Sequence, residues 1–144
     1  MIPSQRLRRI VVLNEVQKNI AAQRLAAARG RHDANQRKLE DFQRYRQEYT
    51  ERMSAPGLVA RAADMCETRK FLTQLDRTIG ALQAMVARSH GECVSDLALW
   101  KREARRANVL IEILERNLRA EDYAREGRLQ REIDDRPRVF ATLD

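Results

Sequence analysis

The histidines and cysteines are the side chains of this 144-residue chain best suited to metal binding or nucleophilic chemistry. His90 and Cys93 are three residues apart, so they share one face if the segment is helical. A closed zinc site needs four such ligands, and the other histidine, His32, is distant in sequence. The sequence therefore predicts no metal site. It favours a surface histidine beside a packed cysteine.

Catalytic arrangements are also missing. Cys93 has no evident His and acid to activate it. Asp134 and Asp135 are adjacent, so they point in different directions on a helix and resemble a helix end rather than an acid/base pair. No Gly-rich phosphate loop with a Lys is present, so the chain is not expected to hydrolyse ATP. We predict a protein that is not an enzyme and has no cofactor.

One long apolar stripe organises the second half of the chain. It advances in steps of three and four residues, with charged residues between, as in the seam of a coiled coil. A four-residue step from Cys93 to Leu97, where three is due, predicts a local unwinding of the supercoil. The stripe consists of Leu72, Leu75, Ile79, Leu82, Val86, Ser89, Cys93, Leu97, Trp100, Ala104, Ala107, Ile111, Leu114 and Leu118.

Prolines divide the chain into two stretches long enough for helices, because proline costs about 3 kcal/mol inside a helix. We predict an all-α fold: two long helices in an antiparallel coiled-coil hairpin, the second helix longer, with the turn near Pro56-Gly57. Ser4 is expected to cap the first helix. The predicted ranges within one domain, 1–144, are 4–53 for the first helix, 54–58 for the turn, 59–135 for the second helix and 136–144 for the tail.

The first helix has a less regular stripe, beginning at Leu7, Ile10, Leu13, Val16 and Ile20 and ending at Leu39, Phe42, Tyr45, Tyr49 and Met53. A hairpin centred on Pro56 pairs Ile10 with Arg102 and Met1 with Ile111. About 25 residues of the second helix, from Ile111 to Arg136, then extend some 35–40 Å beyond the first. The apolar residues Ile111, Leu114 and Leu118 on this unpaired part need a partner.

Four of the seven aromatic residues are expected near the turn: Phe42, Tyr45, Tyr49 and Phe71. Two helices cannot bury four rings in one place. Exposed Tyr and Phe are favoured anchors of protein contacts. The alternative is that the rings close the hairpin against Met53, Leu58 and Met65.

Charge and hydropathy indicate the compartment and the class of partner. The net charge is +7, and residues 1–52 carry twelve Arg or Lys against six acids. Such a basic helix suits nucleic acid, anionic lipid or an acidic protein. No apolar run reaches the roughly 20 residues of a membrane span, and the N-terminus does not resemble a secretory signal. Cys66 and Cys93 would lie about 40 Å apart on one helix, too far for a disulfide. We predict a cytoplasmic protein.

Two further interpretations remain open from the residues alone. A phosphate-binding coiled coil would use the basic residues of the first helix, although no aromatic residues interleave with them for base stacking. A homodimer would let two chains cover each other's unpaired segments. The phosphate-binding candidates are Arg6, Arg8, Arg9, Arg29, Arg31, Arg37 and Lys38.

Three segments resemble the FliJ family of flagellar export stalk proteins. Residues 44–49 (RYRQEY) are similar to the family's Tyr-Arg-x-x-Tyr, and residues 71–79 (FLTQLDRTI) to its Phe-Leu-x-x-Leu-Asp. Trp100 and the basic stretch that follows it resemble a third motif. The resemblance covers about residues 5–135. The C-terminal end departs from the family pattern, because Asp134-Asp135 runs directly into Arg136-Pro137.

The resemblance implies a non-enzymatic central stalk of the type III export ATPase, similar in architecture to a rotary ATPase shaft. It implies three partners: the hexameric ATPase, the cytoplasmic region of the membrane export gate, and export chaperones. No nucleic acid is expected, and membrane association would be peripheral, through partners. Virulence type III secretion stalks share the architecture. The implied gate contacts are Phe42, Tyr45, Tyr49, Phe71 and Leu75, and the implied ATPase contacts are Leu7, Ile10, Ile111, Leu114 and Leu118.

Overall fold

The computed structural model describes residues 3–54 and 62–136. Two helices, α1 (Ser4–Met53) and α2 (Ala62–Asp135), make up almost all of this part of the chain, which contains no strand. The predicted all-α fold of two long helices packed against each other, the second longer, is confirmed. The predicted turn at Pro56-Gly57 and the tail after Arg136 lie outside the described residues.

The start of α1 differs from the prediction. The carbonyl of Pro3 accepts hydrogen bonds from the amides of Arg6 (3.0 Å) and Leu7 (3.1 Å), so Pro3 rather than Ser4 occupies the capping position. Ser4 is the first helical residue. Its amide, which has no partner within its own helix, donates to Glu121 Oε1 at 3.1 Å. The cap therefore comes from the opposite helix.

The chain groups into two compact units. In the first unit, residues 1–19 and 102–144, the contacts Ser4–Glu121 and Asn14–Glu103 show that α1 and α2 run antiparallel. In the second unit, residues 20–101, His32 contacts Ser89 and Arg46 contacts Asp76, which is again antiparallel.

The predicted register in the first unit is wrong. A hairpin centred on Pro56 would place Ser4 opposite Asn108, whereas its partner is Glu121. The helix ends, Met53 for α1 and Ala62 for α2, account for only a small part of this shift. The rest is a displacement of the two helices along the seam, marked by the Ser4–Glu121 contact. Residues Ile111, Leu114 and Leu118 therefore lie alongside α1. The part of α2 beyond Glu121 is 14 residues long, ending at Asp135, or about 21 Å at the rise of a helix.

Both helices follow a heptad repeat. Below, heptad positions are lettered a to g, with a and d in the seam. Every described a and d position, up to Tyr49 in α1 and from Leu72 to Glu121 in α2, is buried or half-buried. In α1 these are Ser4, Leu7, Val11, Asn14, Lys18, Ala21, Leu25, Ala28, His32, Asn35, Leu39, Phe42, Arg46 and Tyr49. In α2 they are Leu72, Leu75, Ile79, Leu82, Val86, Ser89, Cys93, Asp96, Trp100, Glu103, Ala107, Leu110, Leu114, Asn117 and Glu121.

The α2 stripe is as predicted up to Cys93, but beyond it every second position is shifted by one residue. The seam contains Asp96, Glu103, Leu110 and Asn117 where Leu97, Ala104, Ile111 and Leu118 were predicted. Asp96 is half-buried, three residues after Cys93 and four before Trp100, so the heptad continues through a charged residue and Leu97 lies beside the seam. Farther along, Asn117 is 9% exposed and Ile111 is 38% exposed, the reverse of what their polarity suggests.

The predicted α1 stripe is wrong from Ile10 to Ile20, whereas Leu39, Phe42 and Tyr49 at its end do lie in the seam. Ile10, Leu13, Val16 and Ile20 are all between 39% and 60% exposed. Each three-residue step falls about 60° short of a full helical turn, so three such steps from Leu7 reach the opposite face at Val16. The seam instead continues through Val11 and Asn14.

Candidate partner-binding surfaces

An aromatic patch lies in the second unit, formed by Phe42, Tyr45, Tyr49, Phe71 and Leu75. The ring centroids of Tyr45 and Phe71 are 6.2 Å apart in an edge-on arrangement, and those of Tyr49 and Phe71 are 4.7 Å apart. Tyr45 is 44% exposed and Phe71 38%. The sequence-predicted gate residues are therefore brought together, with two of the rings open to solvent.

The other members of the aromatic patch lie beneath these two rings. Phe42 and Tyr49 are half-buried at d positions, and Leu75 is 5% exposed. Leu75 can therefore support the patch but offers little surface to a partner. Asp41, Phe42 and Tyr45 line a shallow depression in which apolar surface predominates. It is wide enough for one side chain of a partner.

The predicted alternative was that methionines close over the rings. Met53 is 43% exposed and Met65 is 52% exposed, so neither is packed in a closed plug. Leu58 lies outside the described residues. Neither of these two methionines therefore covers the aromatic rings.

An ion pair borders the aromatic patch. Arg46 donates from Nε to Asp76 Oδ1 and, at 3.5 Å, from a terminal nitrogen to Oδ2. The hydrogen bond and then the charge of Asp76 raise the pKa of Arg46 above its usual range. Both side chains are exposed, so the pair contributes little to stability. Its two-point geometry holds Arg46, which lies between Tyr45 and Tyr49 in sequence, in one orientation.

The predicted ATPase contacts fall in the first unit with unequal accessibility. Leu7 is 3% exposed and lies in the seam. Leu114 and Leu118 are half-buried beside α1, so they are not on an unpaired helix. Ile10 (39%) and Ile111 (38%) are the two members with substantial exposure.

Glu121 is the best-defined polar site of the first unit. The side chain of Ser4, and then its amide, which donates to Oε1 at 3.1 Å, lower the pKa of the Glu121 carboxyl. The Ser4 hydroxyl oxygen is buried but makes no hydrogen bond of ordinary geometry. Arg125 and Arg8 lower the same pKa further through their charge.

Histidines and cysteines form no recognisable metal site. His32 Nδ1 lies 2.9 Å from the Ser89 hydroxyl, and the His32 and His90 rings are 5.7 Å apart. Across the parts of the chain that the structure describes, no group of three or more His, Cys, Asp or Glu is arranged to hold an ion. Cys66 is exposed and Cys93 half-buried, both as free thiols.

The basic residues of α1 do not form one continuous track. Arg6, Arg8 and Arg9 take the c, e and f positions and so point in different directions around the helix. Arg31 is paired with Glu92 at 3.7 Å. This distribution is typical of a solvated coiled-coil surface.

A second set of exposed apolar residues was missed as a surface by the sequence analysis. Leu13 (60%), Val109 (53%) and Ile113 (40%) lie on the two helices of the first unit. The sequence did contain a signal for this surface. These residues do not fall on the same 3.5-residue repeat as the seam residues Leu7 and Ala107, so they cannot all lie in the seam.

A family model described as "Flagellar FliJ protein" matches residues 3–138 of the chain. Comparison with curated proteins and with solved structures gave no significant match. Among the described residues, neither helix has an apolar window long enough to span a membrane.

Proposed function

The chain belongs to the FliJ family, and on that premise we propose that it is the non-enzymatic central stalk of the flagellar type III export ATPase. Family membership indicates a role in flagellar protein export. More specifically, we propose that the chain promotes assembly and activity of the ATPase hexamer and links the hexamer to the export gate. It would do so in the cytoplasm, at the inner face of the membrane, and would also take part in handling export chaperones.

The observation that carries the gate proposal is the exposure of two aromatic rings, Tyr45 and Phe71, that contact each other edge-on. A partner that covered Tyr45 and Phe71 would bury large apolar surfaces whose orientation is already fixed by Tyr49 and the seam. Prearranged aromatic residues lose little conformational entropy on binding and commonly dominate binding energy. Phe42 and Leu75 would act by supporting the rings.

The ATPase contact is proposed for the first unit. Ile10, at a g position, and Ile111, at an e position, supply exposed apolar surface on opposite sides of the helix pair there. Beyond Glu121, α2 continues with Tyr123, Leu129 and Ile133, which are 79%, 53% and 60% exposed. Leu7, Leu114 and Leu118 would hold the helices together between these two sides. Apolar exposure of this kind supports a protein partner more strongly than a nucleic-acid partner.

The gate proposal is tested by replacing Tyr45→Ala together with Phe71→Ala. We expect binding to the purified cytoplasmic region of the gate to fall at least about tenfold, because two anchoring rings are lost. Helix content should be unchanged, since both rings lie at the edge of the seam. Pull-down or interferometry against the immobilised gate region, with circular dichroism, measures both.

A matched control is Met85→Ala with Val94→Ala, two exposed apolar residues of the second unit outside the aromatic patch (40% and 56%). This variant should bind the gate region as the wild-type chain does. Equal binding by the ring variant and the control would refute the assignment of the aromatic patch.

A further inference from the structure

An apolar groove lies along one side of the first unit. It is lined by Ile10 and Leu13 from α1 and by Val109 and Ile113 from α2, each between 39% and 60% exposed. Ile10 and Ile113 take g positions, and Leu13 and Val109 take c positions. These are the positions that border the seam on one side of a heptad helix.

The contacts of the first unit bring these four residues together. Ile10 and Leu13 lie between Ser4 and Asn14, and Val109 and Ile113 lie between their partners Glu103 and Glu121. The two pairs therefore occupy the same stretch of the helix pair.

The two pairs also lie on the same side of that stretch. A depression in this unit is lined by Arg8 from α1 and by Leu118 and Arg125 from α2, all at e positions. In an antiparallel helix pair, the e positions of both helices flank one side of the seam and the g positions flank the other. The depression marks the e side, so the g positions Ile10 and Ile113 lie together on the opposite side.

Arginines stand at both ends of the groove. Arg6 and Arg116, both at c positions, are at the end nearer Ser4, and Arg102 and Arg106, at c and g, are at the end nearer Asn14. All four are exposed. No acidic residue in residues 3–19 and 102–123 occupies a c or g position. The acidic residues in these ranges, all at other positions, are Glu15, Glu103, Glu112, Glu115, Glu121 and Asp122.

We propose that this groove binds an amphipathic α-helix of another protein, with an apolar stripe flanked by acidic side chains. Apolar residues at g and c beside an a/d seam widen the apolar face to what a third helix covers. The arginines at the two ends, with no opposing acid, match a ligand carrying carboxylates beside its stripe. The distance between them fits a helix of about four turns. Binding of this helix requires neither the gate contact nor the ATPase contact, although the groove shares Ile10 with the proposed ATPase contact.

The test uses the full chain and two synthetic 21-residue helical peptides. Both carry Leu at a and d; one has Glu and the other Lys at e and g. We expect fluorescence anisotropy to show binding of the Glu peptide and none of the Lys peptide. Raising the salt should weaken the binding, because exposed charges are screened.

Leu13→Gln with Val109→Gln should weaken binding of the Glu peptide at least about tenfold. The control, Val12→Gln with Val16→Gln, alters exposed b and f positions and should stay within about twofold. Thermal unfolding of both variants reports whether the helices remain paired. A benzophenone at position 13, but not at position 16, should crosslink to the bound peptide, which tests the groove without removing an apolar residue.

The proposal is overturned if the Glu and Lys peptides bind alike, if the groove and control variants lose affinity equally, or if crosslinking is the same from both positions. Binding of the chain to vesicles of phosphatidylglycerol, abolished by Leu13→Gln with Val109→Gln while the Glu peptide does not bind, would assign the groove to an anionic lipid surface instead.

Discussion

Glu121 holds the first turn of α1 from the opposite helix. Its carboxylate accepts the Ser4 amide at 3.1 Å, and a negative charge at a helix N-terminus is favourable because the unpaired amides there are positive. The contact fixes where α1 begins relative to α2 in the first unit. The sequence could not reveal it, since a glutamate 117 positions away gives no local signal.

This contact predicts a specific pH dependence. Hydrogen bonding from Ser4 lowers the pKa of Glu121, so its stabilisation is fully present above the usual glutamate pKa of about 4.3 and is lost as the pH falls through the lowered value. The protection factors of the amides in the first turn of α1, which correct for the pH dependence of intrinsic exchange, should therefore fall in acid. In Glu121→Gln this acid-induced loss should be missing, while Glu126→Gln should behave like wild type. The same acid response in Glu121→Gln would contradict the assignment.

Asn14 is a polar residue at a d position with incomplete hydrogen bonding. It is 3% exposed, its Nδ2 donates to the Glu103 carbonyl at 3.4 Å, and its Oδ1 has no partner. A buried, unsatisfied oxygen costs free energy, and a single buried Asn in a coiled-coil seam can instead serve to fix the register.

Asn14→Leu is therefore expected to raise the free energy of unfolding by about 1–2 kcal/mol, because it removes an unsatisfied oxygen and buries apolar surface. Urea denaturation measures the change. Asn19→Leu, the same substitution at an exposed position, should have little effect. A destabilised Asn14→Leu variant would mean that the asparagine contributes net stability.

At the scale of elements, the helices were predictable and their pairing was not. Hydrophobic periodicity located the seam of α2, and proline positions limited both helices. The register depends on contacts distant in sequence, such as Ser4–Glu121, so a symmetric hairpin about Pro56 gave the wrong partners. On α1, Ile10, Leu13 and Val16 are more apolar than the true seam residues Asn14 and Lys18, so composition favoured the wrong face.

The corrected register changes which truncation is informative. Ending the chain after Asp122 removes residues 123–144, which include Tyr123, Leu129 and Ile133 of α2, and keeps the Ser4–Glu121 contact. We expect this variant to keep the thermal unfolding of the full chain and to bind the export ATPase at least about tenfold more weakly. Co-sedimentation with the ATPase measures the binding. Undiminished binding would show that the extended segment is not part of the contact.

For the molecule as a whole, the small number of buried side chains limits the stability of the fold. The described residues include eight buried apolar side chains, three of them alanines, and four buried polar ones. Stability alone should be modest, and partners that bind the folded chain should increase it. The candidate aromatic patch was predictable because its residues cluster in sequence near the turn. The groove was not, because its two sides come from distant parts of the chain.

The proposed stalk role can be tested by measuring ATP hydrolysis of the flagellar export ATPase of the same organism while the full chain is titrated from zero to one per hexamer. Hydrolysis should rise and saturate near one chain per six ATPase subunits. A flat curve with an otherwise active ATPase would contradict this role.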